Sequence, residues 1–341
     1  MKSKDIDILN IILIIISLYL AFHVPFGLFI FSYVFLGPLH YLTEINWLKE
    51  KKYFIEKANW SYFFIFLSFI LTIPFVMQLP VFESIMKNES VKSYQTFLGL
   101  CADEIYLLAL LFAIGLLFFK EKIRFILFLL ISGTIAVIAL NFFTTAALAI
   151  AIFVPTLIHV YIFTLLFMLY GNTKNKTKPG TISVILMLLV PFIILVSKIN
   201  PIDYLQVSDY TKTTYMASNF KFLNREVSKW FLTNQDEKFT ILSVIGIKIQ
   251  IFVAFAYTYH YLNWFSKTSI VRWDKAMNKS KIITILTIWI CSVALYLYNF
   301  KIGFIVLSFI SIIHVLLEFP LNITTIKALL RKITVPVISK N

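Results

Sequence analysis

Two histidine–glutamate pairs share the same spacing in an otherwise apolar sequence. In the stretch GPLHYLTEI, His40 is followed four residues later by Glu44, and in HVLLEFPLN, His314 is followed four residues later by Glu318. Residues four apart in a helix project from the same face, so each pair can present an imidazole and a carboxylate to one point. Neutral imidazole together with carboxylate suits iron, zinc or manganese. The spacing therefore predicts two pairs of metal ligands.

The elements that must position these pairs are membrane helices. Of the 341 residues, 60% are hydrophobic and only 14% are charged, which lies outside the range of a soluble domain. Many apolar runs approach or reach the roughly 20 residues that a helix needs to cross a bilayer. We therefore expect an all-α, polytopic transmembrane bundle forming a single integral membrane domain over residues 1–341. Its helices, about ten in number, are predicted at 8–24, 26–48, 60–80, 95–119, 123–140, 142–170, 181–198, 241–266, 282–300 and 302–324.

The basic residues predict the orientation of the bundle. They concentrate at the N-terminus, near the C-terminus and in alternate connections around 49–57, 120–124, 174–178 and 267–281. Because cytoplasmic loops carry the excess of Lys and Arg, both termini are expected in the cytoplasm and the long 198–240 loop outside. The net charge of +14 is then explained by an anionic inner leaflet and not by nucleic acid. This pattern favours a bacterial-type cytoplasmic (inner) membrane. Within the long loop, TTYMASNFKFLNREVSKWFL is compatible with an interfacial amphipathic helix or an ordered loop.

Four of the five histidines are predicted to lie at one depth in the bilayer. The number of residues to the first basic residue of the next cytoplasmic loop is nine from His40, 15 from His159, seven from His260 and 13 from His314. At about 1.5 Å per residue, these positions span a band roughly 12 Å deep on four different helices. Buried ionisable residues are rare in membranes unless they are paired or functional. The four histidines, with Glu44 and Glu318, are therefore the candidate metal ligands, whereas His23 is interpreted as an interhelical hydrogen-bond donor.

Other readings of the same residues stay open at this point. The intramembrane histidines also suit an ion or proton pathway of a transporter, haem ligation, an intramembrane zinc hydrolase or interhelical hydrogen bonding. Asp103 and Glu104 point about 100° apart on one helix, so at most one of them is expected to face the site. Cys101 and Cys291 lie within predicted helices and are interpreted as packing residues.

The motifs GPLHYLTEI and HVLLEFPLN, on a polytopic chain with four intramembrane histidines, resemble the bacterial membrane β-carotene 15,15′-dioxygenase family, the bacteriorhodopsin-related-protein-like enzymes. The chain departs from the His-Gly signature and neighbouring Asp of that family, since Tyr41 follows His40 and the companion acid is Glu44. The resemblance implies that the four histidines hold Fe(2+), with Zn(2+) as the alternative metal.

The resemblance also implies an activity. It would make the protein an oxidoreductase that uses O₂ to cleave a carotenoid or another apolar lipid dissolved in the bilayer, with retinal as a product from β-carotene. Glu44 and Glu318 would then be catalytic residues, either as metal ligands or as acceptors that orient the imidazoles. Aromatic side chains near the histidines could line an apolar tunnel or simply contact lipid: Tyr41, Trp47, Tyr257, Tyr259, Tyr261 and Trp264.

Overall fold

The computed structural model describes residues 2–143, 150, 153–218, 220–231 and 241–334, and every regular element in these ranges is helical. The main helices are α1 (Ser3–His23), α2 (Pro25–Glu50), α3 (Ser61–Val76), α4 (Glu89–Leu100), α5 (Ala102–Phe118), α6 (Lys122–Phe142), α7 (Val154–Asn175), α8 (Lys178–Val196), α9 (Asp209–Ala217), α10 (Phe220–Ser228), α11 (Val244–Ser266), α12 (Lys279–Tyr298) and α13 (Phe300–Thr334). Short helical turns occur at Lys52–Phe54, Ala58–Trp60, Pro80–Phe82, Glu83–Met86, Pro201–Tyr204, Thr268–Val271 and Trp273–Ala276.

The prediction of an all-α, polytopic membrane bundle is confirmed. Among the described residues, seven helices are long and apolar enough to span a bilayer, or nine if two bent pairs each count as one span. One bent pair joins α3 to the segment Pro80–Met86 at 78°, and the other joins α4 to α5 at 46°. The predicted helix 95–119 is thus divided at Cys101, where the backbone leaves helical geometry. The predicted helix 142–170 is described from Val154 onward, and its first residues lie largely outside the described ranges.

Helix α11 lies at the centre of one half of the bundle. It packs against α1, α2, α7, α8 and α10, and most of its 23 residues are buried. Because neighbouring helices shield it from lipid, α11 can carry buried polar side chains such as Gln250, His260 and Asn263. Helix α11 is long enough to cross a bilayer, but it is not one of the seven helices whose mean hydropathy is high enough for a span. Its polar residues lower that mean hydropathy.

Helix α13 is the centre of the other half. It packs against α2, α3, α5 and α12, and a second cluster of buried apolar residues surrounds it. Helices α2 and α7 contact both α11 and α13. Side chains from these four helices therefore meet between the two halves of the bundle.

Two of these four helices contain π-helical segments, in which each turn holds an extra residue. One covers Ser32–Leu36 in α2, and the other covers Val154–Phe163 in α7 and includes His159. The first segment is joined to α11 by a hydrogen bond of 2.7 Å between the hydroxyls of Ser32 and Thr258. π-Helical turns change the direction of the side chains around them and occur frequently at functional sites.

Helices α9 and α10 occupy part of the long 198–240 connection. In α10, Phe220 and Leu223 are buried, and the ring of Phe220 lies 5.2 Å from that of Tyr257 in α11, whereas Lys221 and Arg225 lie on the other side of the helix. An amphipathic helix is therefore present in this stretch. Residues 219 and 232–240 lie outside the described ranges, and the extracytoplasmic position of the loop stays a prediction, as does the cytoplasmic position of both termini.

Candidate metal centre

The four predicted histidines come together between α2, α7, α11 and α13. All are buried, with exposed fractions of 1% for His40, 1% for His159, 7% for His260 and 3% for His314. The Nε2 atoms of His159 and His314 are 3.1 Å apart, and those of His40 and His260 are 3.0 Å apart. Two nitrogens bound to one metal at about 2.1 Å with a bond angle of 90–109° would be about 3.0–3.4 Å apart. Both separations agree with that range.

Three of the histidines form the tightest group. His40, His159 and His314 each offer a ring nitrogen, and these nitrogens lie within 4.8 Å of one another. His260 contacts this group through His40, with ring centroids 4.6 Å apart. A buried cluster of three histidines can hold a metal ion, and the fourth lies beside it.

Glu44 and Glu318 both lie against this cluster. The Oε2 atom of Glu44 is 3.0 Å from Nε2 of His40, and the Oε2 atom of Glu318 is 2.9 Å from Nδ1 of His159. Although these separations are short, their geometry is not that of a hydrogen bond. The Oε2 atom of each glutamate and Nδ1 of His159 are therefore buried without a hydrogen-bond partner among the described residues. Unpaired buried polar atoms are costly. Because a divalent cation would satisfy them, the donor set fits a metal ion.

Thr164 orients one of the imidazoles. Its Oγ1 lies 2.8 Å from Nδ1 of His260, so Nε2 is left to face His40. A hydrogen bond to the second ring nitrogen of a metal-binding histidine fixes both its tautomer and its orientation. Sequence analysis missed this residue, because a threonine on an apolar helix five positions after His159 carries no distinctive signal.

A polar network holds the segment of α11 around His260. Asn10 of α1 accepts hydrogen bonds at Oδ1 from the Tyr259 hydroxyl at 3.1 Å and from Nδ2 of Asn263 at 2.7 Å. All three side chains are buried. Hydrogen bonds between membrane helices stabilise their packing, so this network fixes the position of α11 and with it the position of His260.

An aromatic cavity of about 390 Å³ adjoins one side of the histidine cluster. His159 and His314 form part of its wall. The remaining wall is mostly aromatic and aliphatic and includes Tyr33, Tyr41, Phe75, Tyr106, Phe220, Tyr257, Tyr261 and Phe304. The ring of Tyr41 stacks on that of His314 at 4.2 Å, and its hydroxyl lies 2.8 Å from the hydroxyl of Tyr261.

A polar cavity of about 530 Å³ adjoins the other side of the cluster and shares no lining residue with the aromatic cavity. It is lined by His40, Glu44, His260 and Glu318 and, farther from the cluster, by Asp7, Asn10, Lys51, Asn172, Lys174 and Lys267 among others. Burial lowers the pKa of Lys267 to about 8, and the negative charge of Asp7 opposes part of this effect. This cavity is suited to water and ions.

On each of the four helices, the aromatic cavity is lined by residues that precede or directly adjoin the histidine, and the polar cavity is lined mainly by residues that follow it. In α11, Tyr257 lines the aromatic cavity, and Asn263 lines the polar one. In α13, Ser311 precedes His314 on the aromatic side, and Glu318 follows on the polar side. Pro155 and Thr164 in α7, and Tyr33 and Trp47 in α2, repeat this order. The histidines thus lie between a cavity without lysine or acidic side chains among the described residues of its wall and a cavity whose wall includes both.

The remaining residues considered in the sequence lie elsewhere. Asp103 and Glu104 line neither cavity and do not belong to the histidine cluster. Nδ1 of His23 lies 2.8 Å from the carbonyl oxygen of Tyr19 in the preceding turn. Cys101 and Cys291 are free thiols, partly buried and exposed respectively. Of the aromatic candidates, Tyr41, Tyr257 and Tyr261 line the aromatic cavity, Trp47 and Trp264 line the polar cavity, and Tyr259 belongs to the Asn10 network.

Comparison with known proteins adds no relative: the chain matches no protein-family model, no curated protein and no solved structure.

Proposed function

We propose that this protein is a membrane-embedded, metal-dependent oxygenase, with non-haem iron as its metal and a carotenoid or another apolar unsaturated lipid as its substrate. The observation that carries the proposal is the position of His159 and His314. Both belong to the tight histidine group, and both form part of the wall of the aromatic cavity. A substrate in that cavity would therefore lie directly against the metal ligands.

The aromatic cavity suits an apolar guest. Aromatic and aliphatic side chains predominate in its wall, as in most sites for small apolar ligands. Phe222 and Gly99 line this cavity and are themselves exposed on the surface of the helical bundle. In this proposal, a lipid dissolved in the membrane enters the cavity past Gly99 of α4 and Phe222 of α10.

The donor set favours iron over metals that prefer sulfur or oxygen ligands alone. Imidazole and carboxylate ligands with an open position are the usual set for ferrous oxygenases, and that centre supplies the activation of O₂. Cleavage of one C=C bond by O₂ places one oxygen atom on each carbon and gives two carbonyl products. The electrons balance without an external reductant.

The chain's own residues have separate tasks in this proposal. His40, His159, His260 and His314 bind the metal, and Glu44 and Glu318 either complete its ligands or hold the imidazoles in position. The aromatic wall excludes water from the substrate side, whereas the polar cavity keeps the opposite side accessible to ions. The resemblance of GPLHYLTEI and HVLLEFPLN to the bacterial membrane β-carotene 15,15′-dioxygenase family supports the choice of iron and of a polyene.

Expression in bacterial cells that accumulate β-carotene tests this proposal. Aerobic expression should bleach the cells and release retinal or a shorter aldehyde, and ¹⁸O₂ should label both carbonyl products. His260→Ala should abolish bleaching while the protein remains in the membrane, and His23→Ala, which changes a histidine outside the cluster, should bleach like the wild type. Unchanged pigment at equal expression of the wild type would contradict carotenoid cleavage.

The second candidate is an ion- or proton-coupled transporter, which the arrangement of two chambers favours. A histidine cluster with a cavity on each side, flanked by two bent helix pairs, also suits a central site reached alternately from both sides. Flux of protons or divalent cations into proteoliposomes separates this candidate from the oxygenase. Stoichiometric zinc with hydrolytic activity would instead indicate an intramembrane zinc hydrolase.

A further inference from the structure

The aromatic cavity contains hydroxyl groups that a hydrocarbon would not require. Tyr106 of α5 and Tyr257 of α11 both line it, with exposed fractions of only 6% and 4%. No hydrogen bond joins either hydroxyl to another described residue, and neither oxygen is among the fully enclosed atoms without a partner, so each keeps access to the cavity that its residue lines. Burying an unpaired hydroxyl is unfavourable, so a wall that served only to hold a hydrocarbon would place phenylalanine at these positions.

The other tyrosines near the cluster show what a satisfied hydroxyl looks like in this protein. Tyr41 and Tyr261 pair with each other at 2.8 Å, and Tyr259 donates to Asn10 at 3.1 Å. Tyr106 and Tyr257 differ from these three because they line the cavity without a hydrogen bond to another described residue.

The unpaired hydroxyls lie near the metal ligands. Tyr257 precedes His260 by three residues in α11, which corresponds to about 4.5 Å along a helix axis. Tyr106 belongs to α5, on the α13 side of the bundle. The two tyrosines therefore line the cavity from separate helices, and His159 and His314 form another part of the same wall.

We propose that the aromatic cavity takes an apolar lipid that carries a hydroxyl or carbonyl group, and that this group hydrogen-bonds with the hydroxyls of Tyr106 and Tyr257. A phenol can donate to a carbonyl and can both donate to and accept from an alcohol, so both functional groups fit. A hydrocarbon of the same length would leave both phenols unpaired. This inference rests on the proposed function, since it names the substrate class of the same site.

Binding of a matched pair of polyenes tests the inference. The full-length protein in nanodiscs would be titrated without O₂ with β-carotene and with its 3,3′-dihydroxy derivative, and the visible circular dichroism of the bound polyene would give the Kd. We expect the dihydroxy compound to bind about 3- to 10-fold more tightly, the range of one or two net hydrogen bonds. Tyr106→Phe and Tyr257→Phe should each reduce this preference, and the double variant should remove it.

Tyr298→Phe is the matched control, because it makes the same chemical change at a residue that is 83% exposed and lines neither cavity. Its preference should equal that of the wild type. Equal binding of the two polyenes, tighter binding of β-carotene, no binding of either, or an undiminished preference in the double variant would overturn the inference. If β-carotene is bleached but the two polyenes bind equally, the oxygenase proposal holds and this inference is wrong. If the dihydroxy compound binds more tightly but no oxidised product forms, this inference holds and the oxygenase proposal is wrong.

Discussion

The Nε2 atoms of His159 and His314 lie 3.1 Å apart, although 155 positions separate the two residues in the chain. The contact joins the π-helical segment of α7 to the middle of α13. This distance fits a hydrogen bond from the N–H of one imidazole to the unprotonated nitrogen of the other. It also fits two nitrogen atoms that bind the same metal ion. The second reading also accounts for the unpaired carboxylate oxygens of Glu44 and Glu318 beside the same rings.

Replacing the carboxylates should weaken metal binding. Glu318→Gln and Glu44→Gln should each lower the affinity about 10- to 100-fold if the carboxylate orients an imidazole, and should abolish binding if it is a ligand. Titration of the purified protein against a competing chelator measures the change. Glu50→Gln is the control, because Glu50 also lies on α2 but is exposed and pairs with Lys281 at 2.6 Å. Unaltered affinity in both cluster variants would show that these acids do not serve the metal.

Removing the hydroxyl of Thr164 should have a similar effect through His260. Thr164→Val keeps the shape of the side chain but deletes the 2.8 Å contact with Nδ1. We expect an affinity loss of about 10-fold or more, the lower end of the range for such supporting residues. Thr164→Ser, which retains a hydroxyl, should bind metal nearly as well as the wild type. If the valine and serine variants bind metal equally, the orienting role is wrong.

Adding a methyl group at Gly37 should disturb the tyrosine pair. A Cβ there would lie 3.0 Å from the hydroxyl oxygen of Tyr41 and 3.2 Å from that of Tyr261, closer than ordinary van der Waals contact. Overpacking of this kind typically costs about 1–3 kcal/mol, so Gly37→Ala should lower the melting temperature in detergent. Gly27→Ala is the control, because a Cβ at this position of α2 would meet no atom within 4 Å. Equal melting temperatures for the two variants would contradict this packing argument.

The charge of Lys267 should make stability depend on pH. Its pKa of about 8 in the folded protein lies below the ordinary value of 10.5, so between these values the unfolded chain binds more protons than the folded one. The contribution of Lys267 to the free energy of unfolding therefore rises with pH between about 8 and 10.5, and it is lowest below pH 8. Lys267→Met should reduce the rise in melting temperature between pH 7.5 and about 10. Identical pH dependence in the two proteins would mean that the amine is solvated in the fold.

The sequence predicted the class of fold and most helix positions, because long apolar runs and basic loops are local features. It also singled out His40, His159, His260 and His314, because charged or titratable residues are conspicuous in a membrane helix. Their contact could not be derived in the same way, because it depends on α2 and α7 packing against both α11 and α13. Depth alone placed the four residues in a common layer, without saying which helices are neighbours.

Other features had no signal in the sequence. The break of the predicted helix 95–119 at Cys101 comes two residues after Gly99, but a single glycine in an apolar run does not predict a break, and the π-helical turns around His159 have no local sequence signal. Thr164 is one of many threonines. The two unpaired phenols of Tyr106 and Tyr257 become distinctive only when the cavity that they face is known.

Elemental analysis of the purified protein tests the central claim most directly. After reconstitution with Fe²⁺ and removal of loosely bound ions, the wild type should retain about one metal ion per chain, since three buried histidines within 4.8 Å form one group. His159→Ala and His314→Ala should retain almost none, and His23→Ala should retain as much as the wild type. A wild type that holds no iron, zinc or manganese, or histidine variants with undiminished metal content, would contradict the metal centre and leave the cluster as interhelical hydrogen bonding.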